Sequence, residues 1–337
     1  MKSLLGNIGE IATGTAYVDE QNDAAVLHRF TREQEDLYKR ENEEFYRKVL
    51  CTAGIRIVFK TDSEHLYLKV NTKYGSSRTY FAVEVFADGN KVGEINNFSD
   101  MDLPGNYTAV EYPLGEFDGE FTLGGGTKEV TVYMPWSVKT EIMEIGIDDC
   151  AFYEGTKPKK KLLAFGDSIT HGYDAMYPHN RYAARLADKL GAEEYNKAIG
   201  GEMFFSKLAE LKETYKPDYI TVAYGTNDWF IASRERFQKE CGAFYKNLSE
   251  CYPNSKIFAI TPIWRKDMDT EVEFGDFSEV SAEISAAVAD LDNVTVISGF
   301  EFVPKDEKYF ADFVLHPNDE GFGHYFESLY EKLEEHI

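Results

Sequence analysis

Leu162-Leu163-Ala164-Phe165-Gly166-Asp167-Ser168-Ile169-Thr170-His171-Gly172-Tyr173 is the stretch from which the chain is best read. Its apolar run stops abruptly at Gly166-Asp167-Ser168. A buried strand that ends this way, followed by a helical pattern, puts one serine at the carboxyl edge of a parallel sheet. Open α/β sheets bind ligands at that edge. A serine there is a nucleophile if a histidine reaches it, and His316 stands far downstream in Val314-Leu315-His316-Pro317-Asn318-Asp319. Taken alone, Asp167 or Ser168 reads more readily as the cap of the next helix. The surrounding chain decides between the two.

Downstream, strand and helix patterns alternate. Tyr182 to Leu190 is helical, Glu194 to Ala198 is short and extended, and Phe205, Leu208 and Leu211 suggest a helix. Tyr219 to Tyr224 is a buried strand. Phe237, Cys241, Phe244, Leu248 and Cys251 recur at helical spacing. Strands at Ile257–Ile260 and Val294–Ile297 flank a helix through Val280 and Ile284, and a helix through Phe322 and Leu333 ends the pattern. Repeated βα units imply a parallel sheet covered on both faces, with the loops after its strands on one edge.

Upstream, the period changes to two. Ile55, Ile57 and Phe59, then Leu66, Leu68 and Val70, then Phe81, Val83 and Val85 alternate with their neighbours, as half-buried strands do. Asp88-Gly89-Asn90 is a hairpin signal. Val130, Val132, Met134, Ile145 and Ile147 continue the pattern. Many short strands joined by turns suggest a β-sandwich or jelly roll. The first 50 residues give little beyond a mildly helical Thr31–Val49. Tyr153 to Pro158 reads as a polar linker, so the expected domains are 1–155 and 160–337. The aromatics Tyr67, Tyr80, Phe81, Phe86, Tyr107 and Tyr112 suit either a sugar-binding face or the sandwich core and the contact between domains.

Three more strand-end loops share the edge with Ser168: Asn196-Lys197-Ala198-Ile199-Gly200-Gly201, Gly225-Thr226-Asn227-Asp228 and Asp312 to Asp319. With Gly166-Asp167-Ser168, the Asn-x-x-x-x-Gly ending at Gly201, the Gly-x-Asn-Asp around Asn227 and His316-Pro317-Asn318 form four ordered blocks. Together they resemble the SGNH (GDSL-type) hydrolases, esterases named for serine, glycine, asparagine and histidine. The resemblance covers about 160–337. It implies a flavodoxin-like three-layer α/β/α domain. A jelly roll placed before it is similar to the arrangement in family two of the carbohydrate esterases, which deacetylate plant polysaccharides.

Ester cleavage needs a nucleophile, a base and donors for the oxyanion. Ser168 supplies the hydroxyl and His316 the base. The backbone N–H groups of Ser168 and Gly201 and the amide of Asn227 are the expected oxyanion donors. A glycine lets substrate approach the backbone, and an amide donates without titrating. Pro317 biases His316 toward extended backbone. One position departs from the family pattern, which has Asp-x-x-His: residue 313 is Phe. Asp312, one position further back, reaches the ring if the loop bulges; otherwise a backbone carbonyl orients His316. Asp167, Trp229, Trp264 and Arg265 lie on the active edge as candidate substrate contacts, with core packing the alternative for either tryptophan. His171, His179 and Asp174 show no recognised zinc spacing, and the two histidines read as loop residues near the pocket mouth. No metal or cofactor is expected.

The 337 residues carry a net charge of −23, which argues against nucleic acid or an anionic membrane as partner. No apolar run approaches transmembrane length, Met1 to Leu5 lacks the continuation of a signal peptide, and the four cysteines form no CxxC pair. Cys241 and Cys251, on an apolar helical stripe, are expected to be buried free thiols, and a cytoplasmic location is expected. The resulting expectation is a serine esterase acting on short acyl esters, acetyl foremost, of a small-molecule or oligosaccharide substrate. The alternatives are a lipid or thioester acylhydrolase using the same site, and a carbohydrate-binding protein whose hydrolase fold is inactive. Polar and aromatic strand-end loops, without exposed aliphatic runs, favour the sugar ester over the lipid.

Overall fold

The computed structural model describes residues 1–337. Three sheets organise them. In the first, strands Tyr17–Gln21, Ala24–His28, Lys139–Ile147, His65–Lys73 and Glu116–Thr122 lie side by side in that order, and Lys2–Ser3 joins Lys139–Ile147. In the second, the order is Tyr153–Gly155, Arg56–Thr61, Lys128–Tyr133, Ala82–Ala87 and Asn90–Asn96, with Ala12–Thr13 on Arg56–Thr61. Both are antiparallel. The alternating apolar positions pack between them, with Ile57, Phe59, Leu68, Val83 and Val132 fully buried. This is the expected jelly-roll-like sandwich.

The third sheet is parallel and runs Ala192–Asn196, Lys160–Gly166, Tyr219–Ala223, Lys256–Ile260, Val294–Ile297. Strand order 2-1-3-4-5 is the flavodoxin-like arrangement, whose ligands bind where the order reverses, beside the first and third strands. Gly166 pairs with Ala223 at that point. Apolar helix faces close both sides: Phe237, Phe244 and Leu248 from Arg234–Cys251 on one, Leu186, Phe322 and Leu329 on the other.

Three local readings change. Tyr153–Gly155, expected as linker, is an edge strand paired with Arg56–Thr61, so the irregular connection is only the short stretch before Lys160. The helix expected around Phe205 is a single turn, Ser206–Ala209. The opening segment contains a hairpin, Tyr17–Gln21 with Ala24–His28, turned by Asn22 and Asp23 at φ 52° and 62°. Two residues at positive φ make the turn whose twist matches antiparallel strands. Thr31 and Gln34 then form a capping box for the helix Arg32–Glu41, and Asn42 caps Glu43–Val49.

Those helices carry one part of the contact between the two halves, and buried polar groups anchor it. Arg29 is fully buried and donates to Cys51 O and Lys48 O on its own side, and to Asn196 O and Ala198 O on the other. Lys197 answers by donating to Arg29 O at 2.6 Å and pairs with buried Glu213. Arg29→Met removes the donor from four buried carbonyls, each costly to leave unpaired. The expected loss is on the order of 3 kcal/mol or more, read from the urea midpoint; a loss below about 1 kcal/mol contradicts this account of the interface.

Candidate functional site

Gly166 ends its strand in a turn with no room for a side chain: a Cβ there would lie 2.3 Å from Thr170 Oγ1 and 2.8 Å from Ala223 O. Asp167 then caps the one-turn helix Ser168–His171, accepting from Ile169 N at 3.0 Å. Ser168 is the first helical residue, and its Oγ lies 2.8 Å from His316 Nε2. His316 Nδ1 lies 2.6 Å from Asp312 Oδ2.

The extra residue between Asp312 and His316 is absorbed by Phe313, whose φ of 61° bulges the loop. The bulge lets Asp312 Oδ1 accept from the backbone N–H groups of Val314, Leu315 and His316 at 2.9, 2.8 and 3.1 Å. One carboxylate therefore folds the loop with one oxygen and meets the imidazole with the other. Residues 310 and 317 close the loop as an isolated bridge.

The Asn196–Gly201 loop is tied to the serine strand by Lys197 N to Ala164 O and Ile199 N to Gly166 O. Asn196 donates to Thr170 O at 2.8 Å and accepts from Ala198 N, locking this loop to the Ser168 helix. Gly201 has φ 85°, and its N–H has no protein acceptor. Asn227 Nδ2 donates to Glu202 O at 2.9 Å; an amide carries two protons, so one remains for a ligand. Lys48 from the sandwich half caps Gly200 O at 2.9 Å.

The candidate substrate contacts fare differently. Trp229 is fully buried in the core with Nε1 donating to Gly275 O, which corrects its placement as a sugar platform. Arg265 is 5% exposed, pairs with both oxygens of Asp267, donates to Thr226 and stacks over Trp229, so it braces the Asn227 loop from below. Trp264 is half-buried against Phe310. Asp167 is buried at its cap. Phe230 and Phe313, at 48% and 41% exposure, are the rings that face solvent on these loops. The histidines expected at the pocket mouth lie between the two halves. His171 is fully buried and accepts from Gly200 N at Nδ1, so Nε2 donates to Trp136 O; burial holds it neutral, well below the usual histidine range. His179 pairs with Glu84 of the sandwich. The aromatic cluster of Tyr80, Tyr112, Trp136 and Tyr173 fills the same interface.

Sequence reading missed Glu202, buried and accepting from Tyr38 and Tyr224, and Arg78, which grips Asp174 through two bonds of 2.6 and 3.1 Å. Neither lies in a motif. Asp174, Asp312 and His316 each turn a ligand-capable atom to within 4.8 Å of the others; they are the residues able to hold a cation, and Arg78 already supplies one.

Burial dominates the site's electrostatics. It pushes Asp167 up to about 7 and Glu202 up to about 8. Burial opposes charge on His316, but its hydrogen bond with Asp312 and the charges of Asp174 and Asp312 outweigh that and hold it above the usual histidine range. Asp312 is likewise opposed by burial, yet the His316 hydrogen bond and backbone donors hold it well below the usual carboxylate range. For Asp167 the sign follows from proton binding: an acid raised by folding binds more protons folded than unfolded, so stability falls as pH rises from about 4 to about 7. Asp167→Asn keeps the cap without the charge. It should stabilise the fold more at pH 8 than at pH 4, by on the order of 1–3 kcal/mol, as read from urea unfolding at both pH values; an equal effect at both refutes the assignment.

Residues 164–323 match the model of the GDSL-like lipase/acylhydrolase family. No curated protein matches the sequence. Among solved structures, the salicylyl-acyltransferase SsfX3 of a tetracycline biosynthetic pathway is 17% identical over 96% of this chain and 94% of its own, with a TM-score of 0.77. A family two carbohydrate esterase from Clostridium thermocellum, solved with cellohexaose, is 13% identical over 85% and 93%, with a TM-score of 0.63. An acetyl xylan esterase from the rumen bacterium Butyrivibrio proteoclasticus is 14% identical over 98% and 96%, with a TM-score of 0.62. At these identities the likeness is one of fold, and it spans both halves of the chain. Residues 164–323 form a GDSL-like lipase/acylhydrolase domain, and the chain is an ester hydrolase.

Proposed function

We propose that the chain removes short acyl groups, acetyl foremost, from a carbohydrate, with Ser168 as nucleophile, His316 as base and Asp312 as the acid that orients it. The observation that carries this reading is the unbroken line from Ser168 Oγ through His316 to Asp312, at 2.8 and 2.6 Å. Ser168 attacks the acyl carbonyl and His316 Nε2 takes its proton. The backbone N–H groups of Ser168 and Gly201 and the free amide proton of Asn227 hold the oxyanion. His316 returns the proton to the leaving alcohol, and water, deprotonated by the same ring, frees the acid. Asp312 fixes Nδ1–H and stabilises the imidazolium.

Substrate class rests on the surroundings. A cleft of about 190 Å³ adjoins Gly201, lined by Tyr38, Phe45, Met203 and Phe205 with Glu202 and Arg236. Rings with interspersed polar groups suit a hydroxylated ligand. Exposed large apolar residues near the edge are few, Phe230, Ile231 and Phe313, too few for a lipid surface. The carbohydrate esterases among the fold relatives point the same way, by analogy. We take the sandwich, 1–155, and the hydrolase unit, 160–337, as the two domains. No helix is long and apolar enough to cross a membrane.

Ser168→Ala should lose several decades in kcat while folding normally, and adding His316→Ala should lose little more, because the pair acts as a unit. Full activity in the folded single variant ends the assignment. Asn227→Ala should lower kcat by about 10²–10³-fold with KM little changed; an effect confined to KM makes Asn227 a ground-state contact. Asp312→Asn should cost up to about 10⁴-fold, and a loss under about tenfold would leave orientation to a backbone carbonyl. Rates on p-nitrophenyl esters should fall from acetyl to butyryl and vanish by octanoyl. Rates that rise with chain length would move the assignment to a lipid or thioester.

A further inference from the structure

His316 faces two carboxylates. Asp312 Oδ2 lies 2.6 Å from Nδ1, and Asp174 Oδ2 lies 3.6 Å from the same atom. Asp174 is fully buried and holds φ 72°, a left-handed backbone that residues with side chains seldom adopt. Such a conformation persists where its surroundings over-determine it. Here its hydrogen-bond partners all come from the sandwich. Arg78 donates from Nε and Nη2 to the two carboxylate oxygens, Tyr80 donates to Oδ1 at 3.2 Å, and Tyr107 donates to the backbone carbonyl at 2.8 Å. Arg78 also lies over the Tyr173 ring, which in turn lies 5.7 Å from the His316 ring.

A base that must accept a proton from serine has to be neutral when substrate arrives. Two unpaired carboxylates beside a buried imidazole would keep it charged. The groups facing His316 are Ser168 on Nε2, Asp312 from its own loop, Asp174 and Tyr173 from the loop after the serine helix, Arg78 behind Asp174, and Asp167 beside Ser168. Tyr173 carries no charge at neutral pH, since burial pushes it up to about 12. Arg78 is thus the cation in this set.

We propose that Arg78, carried by the sandwich half, is a positioning residue for hydrolysis: its ion pair with Asp174 offsets part of the second carboxylate's pull, so that His316 stays free to take the Ser168 proton. The proposal rests on His316 being the base. It gives the sandwich a part in the chemistry that no motif of the hydrolase half supplies. The directions of the charge effects agree: Asp174 raises the His316 pKa and Arg78 lowers it.

The test is a histidine-ring NMR titration of the full chain, with the His316 signal identified by its loss in His316→Gln. Arg78→Met should raise the His316 pKa by about one to two units. Asp174→Asn should lower it, and Arg78→Met with Asp174→Asn should return it to within about half a unit of the starting value. Arg78→Lys should fall between the parent and Arg78→Met. The acid limb of kcat/KM on an acetyl ester should move in step, which a purely structural Arg78 would not cause. An unmoved His316 pKa in folded Arg78→Met overturns the proposal. Should that variant fail to fold, Asp174→Asn decides: a fall in the pKa supports the proposal and an unmoved value overturns it. Titration needs no turnover, so it separates the two readings. A shifted pKa with full activity in Ser168→Ala sinks the esterase mechanism alone; an unmoved pKa with Ser168-dependent activity sinks this proposal alone.

Discussion

The buried guanidinium of Arg29 is the constraint on which the arrangement rests. It binds carbonyls at the end of the helix Glu43–Val49 on one side and in the Asn196–Gly201 loop on the other. Those carbonyls have no other cation so placed, and a charged group without water must keep such partners or leave the interior. The two halves are therefore joined in one register, and the loop that ends at Gly201 takes its shape from both. Lys48 on Gly200 O and Tyr38 on Glu202 extend the same grip toward the ligand edge. The sandwich thus forms one wall of the site as well as a neighbouring module.

On the hydrolase side, geometry follows from a few backbone decisions. The absence of a side chain at Gly166 lets the serine turn close against Ala223, and Asp167 ends the strand by capping the next helix. Phe313 turns left-handed, so Asp312 can serve its loop and the imidazole together. The charges left over are few and are matched one by one: Arg265 with Asp267, Arg236 with Asp228, Arg78 with Asp174. Each pair braces a strand-end loop from outside the line of Ser168, His316 and Asp312.

Much of this is legible in the sequence because it is local. The period-two and helical patterns identify the strands of both halves, since burial on one face leaves its mark at every second or every third to fourth residue. The four blocks fall together because strand ends of a parallel sheet share one edge. What the sequence hides is long-range. Asn22-Asp23 turns a hairpin, but the strands beside it are short and carry a weak alternation. Trp229 sits at a strand end, as a platform would, yet its ring turns inward to Phe277 and Gly275 O; direction is not written in position. Arg78 and Glu202 belong to no pattern, because their partners Asp174, Tyr38 and Tyr224 come from distant parts of the chain. Tyr153–Gly155 looks like a linker because an edge strand needs little apolar surface.

The central claim is that the acyl group passes through Ser168, and trapping it there tests this most directly. The enzyme is mixed with an acetyl ester, quenched within the first turnovers, digested and mapped by mass spectrometry. The account predicts an acetyl group on Ser168 that forms and disappears as fast as the ester is consumed. Sustained turnover with no acetyl on Ser168, or with acetyl on another side chain at a kinetically competent rate, would contradict it.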